Sequence, residues 1–113
     1  MLACFTFRAK PGKEAEFERL MNNPGSGRAF AAAMGASRNT LFLKGGQMVR
    51  IVEFPEGARP VPMTQVMEQD PKVKEFLKKL GLIVEDGFDP DVPGSLEAFN
   101  ERIMVPLAYD VHV

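Results

Sequence analysis

The sequence predicts an α+β fold: a four-stranded antiparallel sheet with two main helices on one face. Three observations lead there. Two β-prone runs, Arg38–Lys44 and Gln47–Glu53, flank the pair Gly45-Gly46. Two glycines both tolerate positive φ, which a tight two-residue hairpin turn requires. An apolar run at the start and an alternating run at the end supply two more strands, and amphipathic helices lie between the strands. The order is strand, helix, strand, strand, helix, strand, with short helical insertions. This is the split β-α-β arrangement of ferredoxin-like folds.

Taken in order, Leu2 to Arg8 reads as the first strand. Lys10-Pro11-Gly12-Lys13 is a turn, because proline presets φ and glycine interrupts the strand. Glu14 to Met21 is helical, with Phe17, Leu20 and Met21 at i, i+3 and i+4. Asn22–Gly27 reads as a flexible connection, followed by a short alanine-rich helix from Arg28 to Met34 that Gly35 closes. Gly25-Ser26-Gly27 follows a helix rather than a strand and precedes no Gly-Lys-Ser or Gly-Lys-Thr, so it does not fit a phosphate loop.

The hairpin register places Arg38 opposite Glu53, a favourable cross-strand charge pair. Its two faces follow from the pleat. One carries Arg38, Thr40, Phe42, Lys44, Gln47, Val49, Ile51 and Glu53; the other carries Asn39, Leu41, Leu43, Met48, Arg50, Val52 and Phe54. Both have apolar middles, so both require cover. The helices cover one. A second copy of the chain, packed through Phe42, Val49 and Ile51 in a two-fold dimer, is expected to cover the other. Asn39 and Arg50 stand among apolar neighbours, where a polar group needs a partner, water or a ligand.

Residues 55–62 hold three prolines and a glycine and form a stiff connection or a lid. Met63, Val66 and Met67 resume helical spacing. Asp70-Pro71 starts a helix with an N-cap acceptor and a proline at its first position. Val73, Phe76, Leu77 and Leu80 form its apolar stripe, and Lys72, Lys74, Glu75, Lys78 and Lys79 its solvated side. Gly81 is expected to end or bend it. Residues 85–94 read as an acidic surface loop; their spacing does not match a calcium loop. Ser95 can cap a last helix bearing Leu96, Phe99 and Ile103. Val105 to Val113 is expected to be the final strand, with Leu107, Tyr109, Val111 and Val113 on one face and Ala108, Asp110 and His112 on the other.

The totals narrow the function classes. The chain has 113 residues, which suits a single domain spanning 1–113, and 45% hydrophobic with 26% charged content is ordinary for a globular protein. A net charge of −1 gives no general attraction to nucleic acid or to an anionic membrane. Cys4 is the lone cysteine, so no intrachain disulfide forms, which fits a reducing compartment. No apolar run approaches the ~20 residues a spanning helix needs. The expectation is a cytoplasmic protein with neither nucleic-acid nor membrane partners. One histidine and one cysteine offer no metal site, and no metal or organic cofactor is expected.

Lys10-Pro11-Gly12-Lys13-Glu14 after a first strand, then a glycine-turned hairpin with Val49-Arg50-Ile51-Val52-Glu53, is similar to the dimeric α+β barrel superfamily. Within it the chain most resembles the SchA/CurD-like family, through Leu41-Phe42-Leu43, Val49–Glu53, Val66-Met67 and Asp70–Phe76. The resemblance implies a role in aromatic polyketide biosynthesis. Relatives in that superfamily include tetracenomycin-type polyketide cyclases and cofactor-free monooxygenases. It also implies a pocket between sheet and helices, with Asn39, Leu41, Leu43, Met48, Arg50 and Val52 on its sheet side. The cyclases have histidine where Arg50 sits and arginine where Asn39 sits. The monooxygenases often use a tryptophan, which this chain lacks.

A poly-β-ketone cyclase mainly needs a shaped apolar cavity that folds its substrate and a donor for the developing enolate. Arg50 stays protonated and presents a planar fork of donors; alternatively, it pairs with a helix carboxylate. Asn39 can orient an oxygen or satisfy backbone groups. His112 is a candidate general base if the final strand reaches the cavity, and a surface residue otherwise. Leu41, Leu43, Met48, Val52 and Tyr109 are the candidate substrate-binding residues. The expected activity is cofactor-independent cyclisation or aromatisation of a polyketide. A cofactor-free oxygenase and a non-catalytic polyketide-binding or accessory protein are the alternatives.

Overall fold

The computed structural model describes residues 1–113. Its elements are β1 (Leu2–Arg8), α1 (Glu14–Met21), α2 (Pro24–Met34), β2 (Arg38–Lys44), β3 (Gln47–Glu53), α3 (Met63–Gln69), α4 (Pro71–Ile83), α5 (Ser95–Ile103) and β4 (Met104–Val105). The strands form one antiparallel sheet in the order β2-β3-β1-β4. This is the α+β, ferredoxin-like arrangement expected, with α2, α3 and α5 as the insertions.

The hairpin fixes the centre of the sheet. Gly45 and Gly46 have φ of 56° and 80°, the two positive values that bring the strands into register. Leu43 opposes Met48, Leu41 opposes Arg50, and Arg38 opposes Glu53. The register of that last pair holds, but its side chains form no ion pair within 4.0 Å. The ion pairs formed lie elsewhere, at Arg8, Lys13, Lys74, Lys78 and Lys79. Both residues are exposed, so water competes for their charges.

The core lies on the helix-covered face. Met48 and Val52 of β3 are buried there with Phe17 and Met21 of α1, Leu77 and Leu80 of α4, and Leu96 and Phe99 of α5. Phe7 of β1 meets Phe17 and Phe99 edge-on, with ring centroids 5.7 and 5.4 Å apart, the geometry favoured by aromatic quadrupoles. On the open face, Phe42 is 58% exposed, and Leu2 and Val105 are exposed too.

Four elements depart from the sequence-based expectation. The segment Asn22–Gly27 is not a flexible connection: α2 starts at Pro24, because the Asn23 side chain accepts a hydrogen bond from the Ser26 amide at 3.1 Å and proline occupies the first helical position. α4 runs through Gly81 to Ile83. Gly81 is required by packing, since a Cβ there would lie 2.1 Å from the Phe88 carbonyl oxygen. Ser95 does not cap α5; Gly94 holds that position in a left-handed conformation, and the Ser95 hydroxyl accepts from the Asp89 amide instead.

The fourth departure is the final strand. Pairing ends at Val105, opposite Cys4, and residues 106–113 form no ladder. Pro106 has no N–H to donate and breaks the pairing. Beyond it, Leu107, Tyr109, Val111 and Val113 keep their alternation but stand exposed.

Two loops close the helical side. Ile83 and Val84, at the end of α4, return to the end of β1: Val84 bridges Ala9, and the Lys10 amide donates to Ile83 O at 2.8 Å. The acidic loop folds onto the lysine side of α4, where Asp91 receives Lys74 at 2.9 Å and Lys78 at 2.5 Å. No helix is long and apolar enough to cross a membrane.

Candidate functional site

The pleat of β2 and β3 directs Asn39, Leu41, Leu43, Met48, Arg50 and Val52 to the helix side of the sheet. Met48 and Val52 are buried, the others half-buried. Arg50 and Asn39 are diagonal neighbours across the ladder, since Asn39 opposes Val52 and Leu41 opposes Arg50.

Two cavities meet at this pair. The inner one, of about 200 Å³, lies between the sheet and α2, α4 and α5. Phenylalanines 5, 7, 30, 76, 88 and 99 line it together with Met34, Met48, Met63 and Met104, and its polar liners are Asn39, Arg50 and Asn100. The outer one, of about 890 Å³, opens between β2, α1 and the start of α2. Its wall includes Glu18, Asn22, Asn23, Arg28, Arg38, Leu41 and Leu43, and it shares Asn39, Arg50 and Ala31 with the inner cavity. Arg50 also borders a third cavity against Phe30, Asp70 and Phe76.

The electrostatics of the pair are unusual. Arg50 Nε is buried and has no hydrogen-bond partner within the protein. No helix carboxylate forms an ion pair with its guanidinium, so the structural alternative for Arg50 is not realised. Desolvation pushes its pKa below the usual arginine range, yet arginine titrates so high that it stays charged near neutrality. Its Cζ stands 6.0 Å from the Phe30 ring centroid, at the limit of a cation–π contact.

Asn39 is half-satisfied. Its Nδ2 donates to Gly27 O at 3.0 Å, tying β2 to the first turn of α2, while its buried Oδ1 accepts nothing. An unpaired buried polar group costs ~1–3 kcal/mol. Two residues with such atoms, on adjacent strands and lining shared cavities, mark the polar centre of the candidate site.

The structure does not bring the C-terminal candidates to this place. Tyr109 is 80% exposed, and the His112 side chain is 92% exposed with Asp110 as its neighbour. Neither borders the three cavities. Both assignments depended on a strand beyond Pro106 that does not form. Residues 55–62 do not border these cavities either; the Val61 amide donates to Met34 O at 3.0 Å, which ties the segment to the end of α2.

The sequence reading overlooked Glu18, Arg28, Phe30 and Arg38 as cavity residues. Helical spacing puts Glu18 off the apolar face of α1 and Arg28 at the start of the alanine-rich helix, and only the packing of α1 and α2 against β2 shows that they line a common space. The Asn23-Pro24 pair was the available signal, since it has the same capping logic as Asp70-Pro71.

No family model and no curated protein matches the chain. Among solved structures, it is similar to the L-rhamnose mutarotase FA22100 from Formosa agariphila. The two share 12% sequence identity, the match covers 100% of this chain and 98% of that one, and the TM-score is 0.54. At that identity the likeness supports the ferredoxin-like fold alone.

Proposed function

We propose that the protein binds an aromatic polyketide, or a poly-β-ketone precursor, in the inner cavity and promotes its cyclisation without metal or organic cofactor, as a cytoplasmic protein of SchA/CurD type. The observation that carries this reading is the buried, unpaired Arg50 Nε at the rim of a phenylalanine-lined cavity. A planar, apolar ligand suits the aromatic walls, and an enolate or phenolate oxygen suits the arginine.

In the cyclisation, a methylene flanked by two carbonyls loses a proton. The enolate carbon attacks a ketone carbon of the same molecule, and a C–C bond forms. The attacked oxygen takes the electron pair and then a proton, and loss of water gives the ring its unsaturation. Arg50 stabilises the oxyanions, Asn39 orients the chain, and the cavity walls bring the two carbons together. Glu18, on the outer wall, is a carboxylate that shares that cavity with Arg50 and can take the methylene proton.

A second copy covers the open sheet face in this reading. The exposure of Phe42, Leu2 and Val105 supports it, as does the alternating tail 107–113 that has no surface to pair with in one copy.

A non-catalytic polyketide-binding role is the second reading, favoured by one observation: no Asp, Glu or His lines the inner cavity.

Methionine methyl NMR during titration with 1,8-dihydroxyanthraquinone tests the binding. Saturable shifts at Met48, Met34 and Met63, with Met1 unmoved, support the cavity as the site. No shift at Met48 up to the solubility limit rejects it. Incubation with a poly-β-ketone then separates the roles: ring formation above background supports the cyclase, oxygen uptake points to an oxygenase, and binding without either leaves the accessory role.

A further inference from the structure

The outer cavity holds two charges, Arg28 and Arg38, that the cyclisation reading does not use. Three arginines, Arg28, Arg38 and Arg50, face it against one carboxylate, Glu18. None of the three takes part in an ion pair within 4.0 Å. The carboxylate is already engaged, since Glu18 Oε1 accepts from the Gly46 amide at 3.3 Å. The first turn of α2, with Pro24 and Gly27, lies on the same wall and adds the positive end of a helix dipole.

The two cavities are not separate sites, because Asn39, Arg50 and Ala31 border both. A molecule seated in the aromatic inner space therefore has its polar end directed past Arg50 into an arginine-lined outer space. We infer that the outer cavity is an oxyanion-binding chamber and that the natural ligand is bipartite: an apolar ring or chain within, and a carboxylate or phosphate on its outer end. Guanidinium groups match both oxyanions with paired hydrogen bonds. This inference rests on the inner cavity being the ligand site, and it adds the charge class of that ligand.

Three probes test it by calorimetry: 2-naphthol, 3-hydroxy-2-naphthoate and 1-naphthyl phosphate. Each is titrated into the wild type and into an Arg28→Gln/Arg38→Gln double variant whose fold is checked by circular dichroism. Both substituted positions are exposed. Charge-assisted hydrogen bonds correspond to roughly tenfold or more in affinity. The expected result is that either anion, or both, binds the wild type roughly tenfold more tightly than 2-naphthol. That advantage should disappear in the double variant and shrink at high salt, where exposed charges are screened. Tighter binding of the naphthoate alone assigns the chamber to carboxylates; tighter binding of the phosphate alone assigns it to phosphates.

Equal affinity of all three probes for the wild type overturns the oxyanion chamber and leaves the inner site standing. An anion advantage that survives in the double variant also overturns it, because Arg50 alone would then be the source. Failure of all three to bind rejects the chamber and the inner site together.

Discussion

Asn39 and Arg50 sit diagonally across the β2–β3 ladder; each carries a buried polar atom without a protein partner, and both residues line the same pair of cavities. A fold selected for stability alone would fill or pair these atoms, since each costs ~1–3 kcal/mol left as it is. Their coincidence on one sheet face makes the pair the centre of the site.

Arg50→Met separates the stability of this pair from its use. Methionine keeps the length and fills the apolar surroundings without a charge. The variant is expected to be as stable as the wild type or more so, by up to ~2 kcal/mol, because a half-buried guanidinium with a buried, unpaired Nε has been removed. Binding of 1,8-dihydroxyanthraquinone should weaken by roughly tenfold or more, and turnover should be lost. Urea denaturation measures the first and NMR titration the second. A loss of more than ~1 kcal/mol in stability would mean that Arg50 also holds the structure together; unchanged binding and turnover would remove it from the mechanism.

What the sequence made legible was mostly local. Gly45-Gly46, the alternation on either side and the resulting Arg38–Glu53 register depend on neighbours within one hairpin, so the faces carrying Asn39 and Arg50 could be read directly. The stripe of α4 and its Asp70-Pro71 start were legible for the same reason. Alternation misled at the C-terminus, because Leu107 to Val113 has the pattern of a strand while Pro106 breaks its ladder. His112 and Tyr109 were lost from the site with that strand. Glu18, Arg28 and Phe30 could not be placed without tertiary packing: helical spacing tells which side a residue occupies, not which cavity that side meets.

Gly81→Ala should destabilise the protein although it lies within a helix. Alanine gains ~1 kcal/mol in helix propensity over glycine. Against this, its Cβ would meet the Phe88 carbonyl oxygen at 2.1 Å and the Phe88 ring at 3.4 Å. Backbone must move to relieve the first contact, and overpacking of this kind costs ~1–3 kcal/mol. The loop that carries Phe88 also positions that ring in the inner cavity, so a net loss of up to ~2 kcal/mol in urea unfolding should be accompanied by altered ligand shifts. A stabilising outcome with unaltered shifts would show that the α4–Phe88 approach yields without strain.

The Asp91 clamp predicts a pH window. The hydrogen bonds from Lys78 and Lys74 hold the Asp91 carboxyl below its usual range, and the hydrogen bond to Asp91 raises Lys78 above its usual range. The carboxylate therefore contributes stability above its unfolded pKa of ~3.9, and loses it as pH falls through the lower folded value. Lys78 contributes below its unfolded pKa of ~10.4, and loses it as pH rises through the higher folded value. All three side chains are exposed, so the effect is small and salt-sensitive. The Asp91→Asn variant should melt below the wild type at neutral pH and low salt. The difference should close towards strong acid, and should shrink at high salt. A gap that persists in strong acid would mean that Asp91 acts through its loop geometry, including the hydrogen bond its backbone amide donates to Asp89 Oδ1, rather than through charge.

Phe42→Asp tests the open face of the sheet. Phe42 is 58% exposed in one copy, on the same pleated face as Val49 and Ile51 and pointing away from the cavities. Burying such a residue between two copies contributes ~1.5–3 kcal/mol per side. Replacing it with aspartate adds two like charges across a two-fold interface, each of which would be desolvated. Sedimentation should find the wild type dimeric at micromolar concentration and the variant monomeric. The substitution leaves the helix-covered core untouched, so urea unfolding of the separated monomer should remain cooperative. A wild type that sediments as a monomer would leave the open face without the expected cover. The unpaired tail beyond Pro106 would then need a different partner, because the sheet of a second copy would no longer be there to receive it.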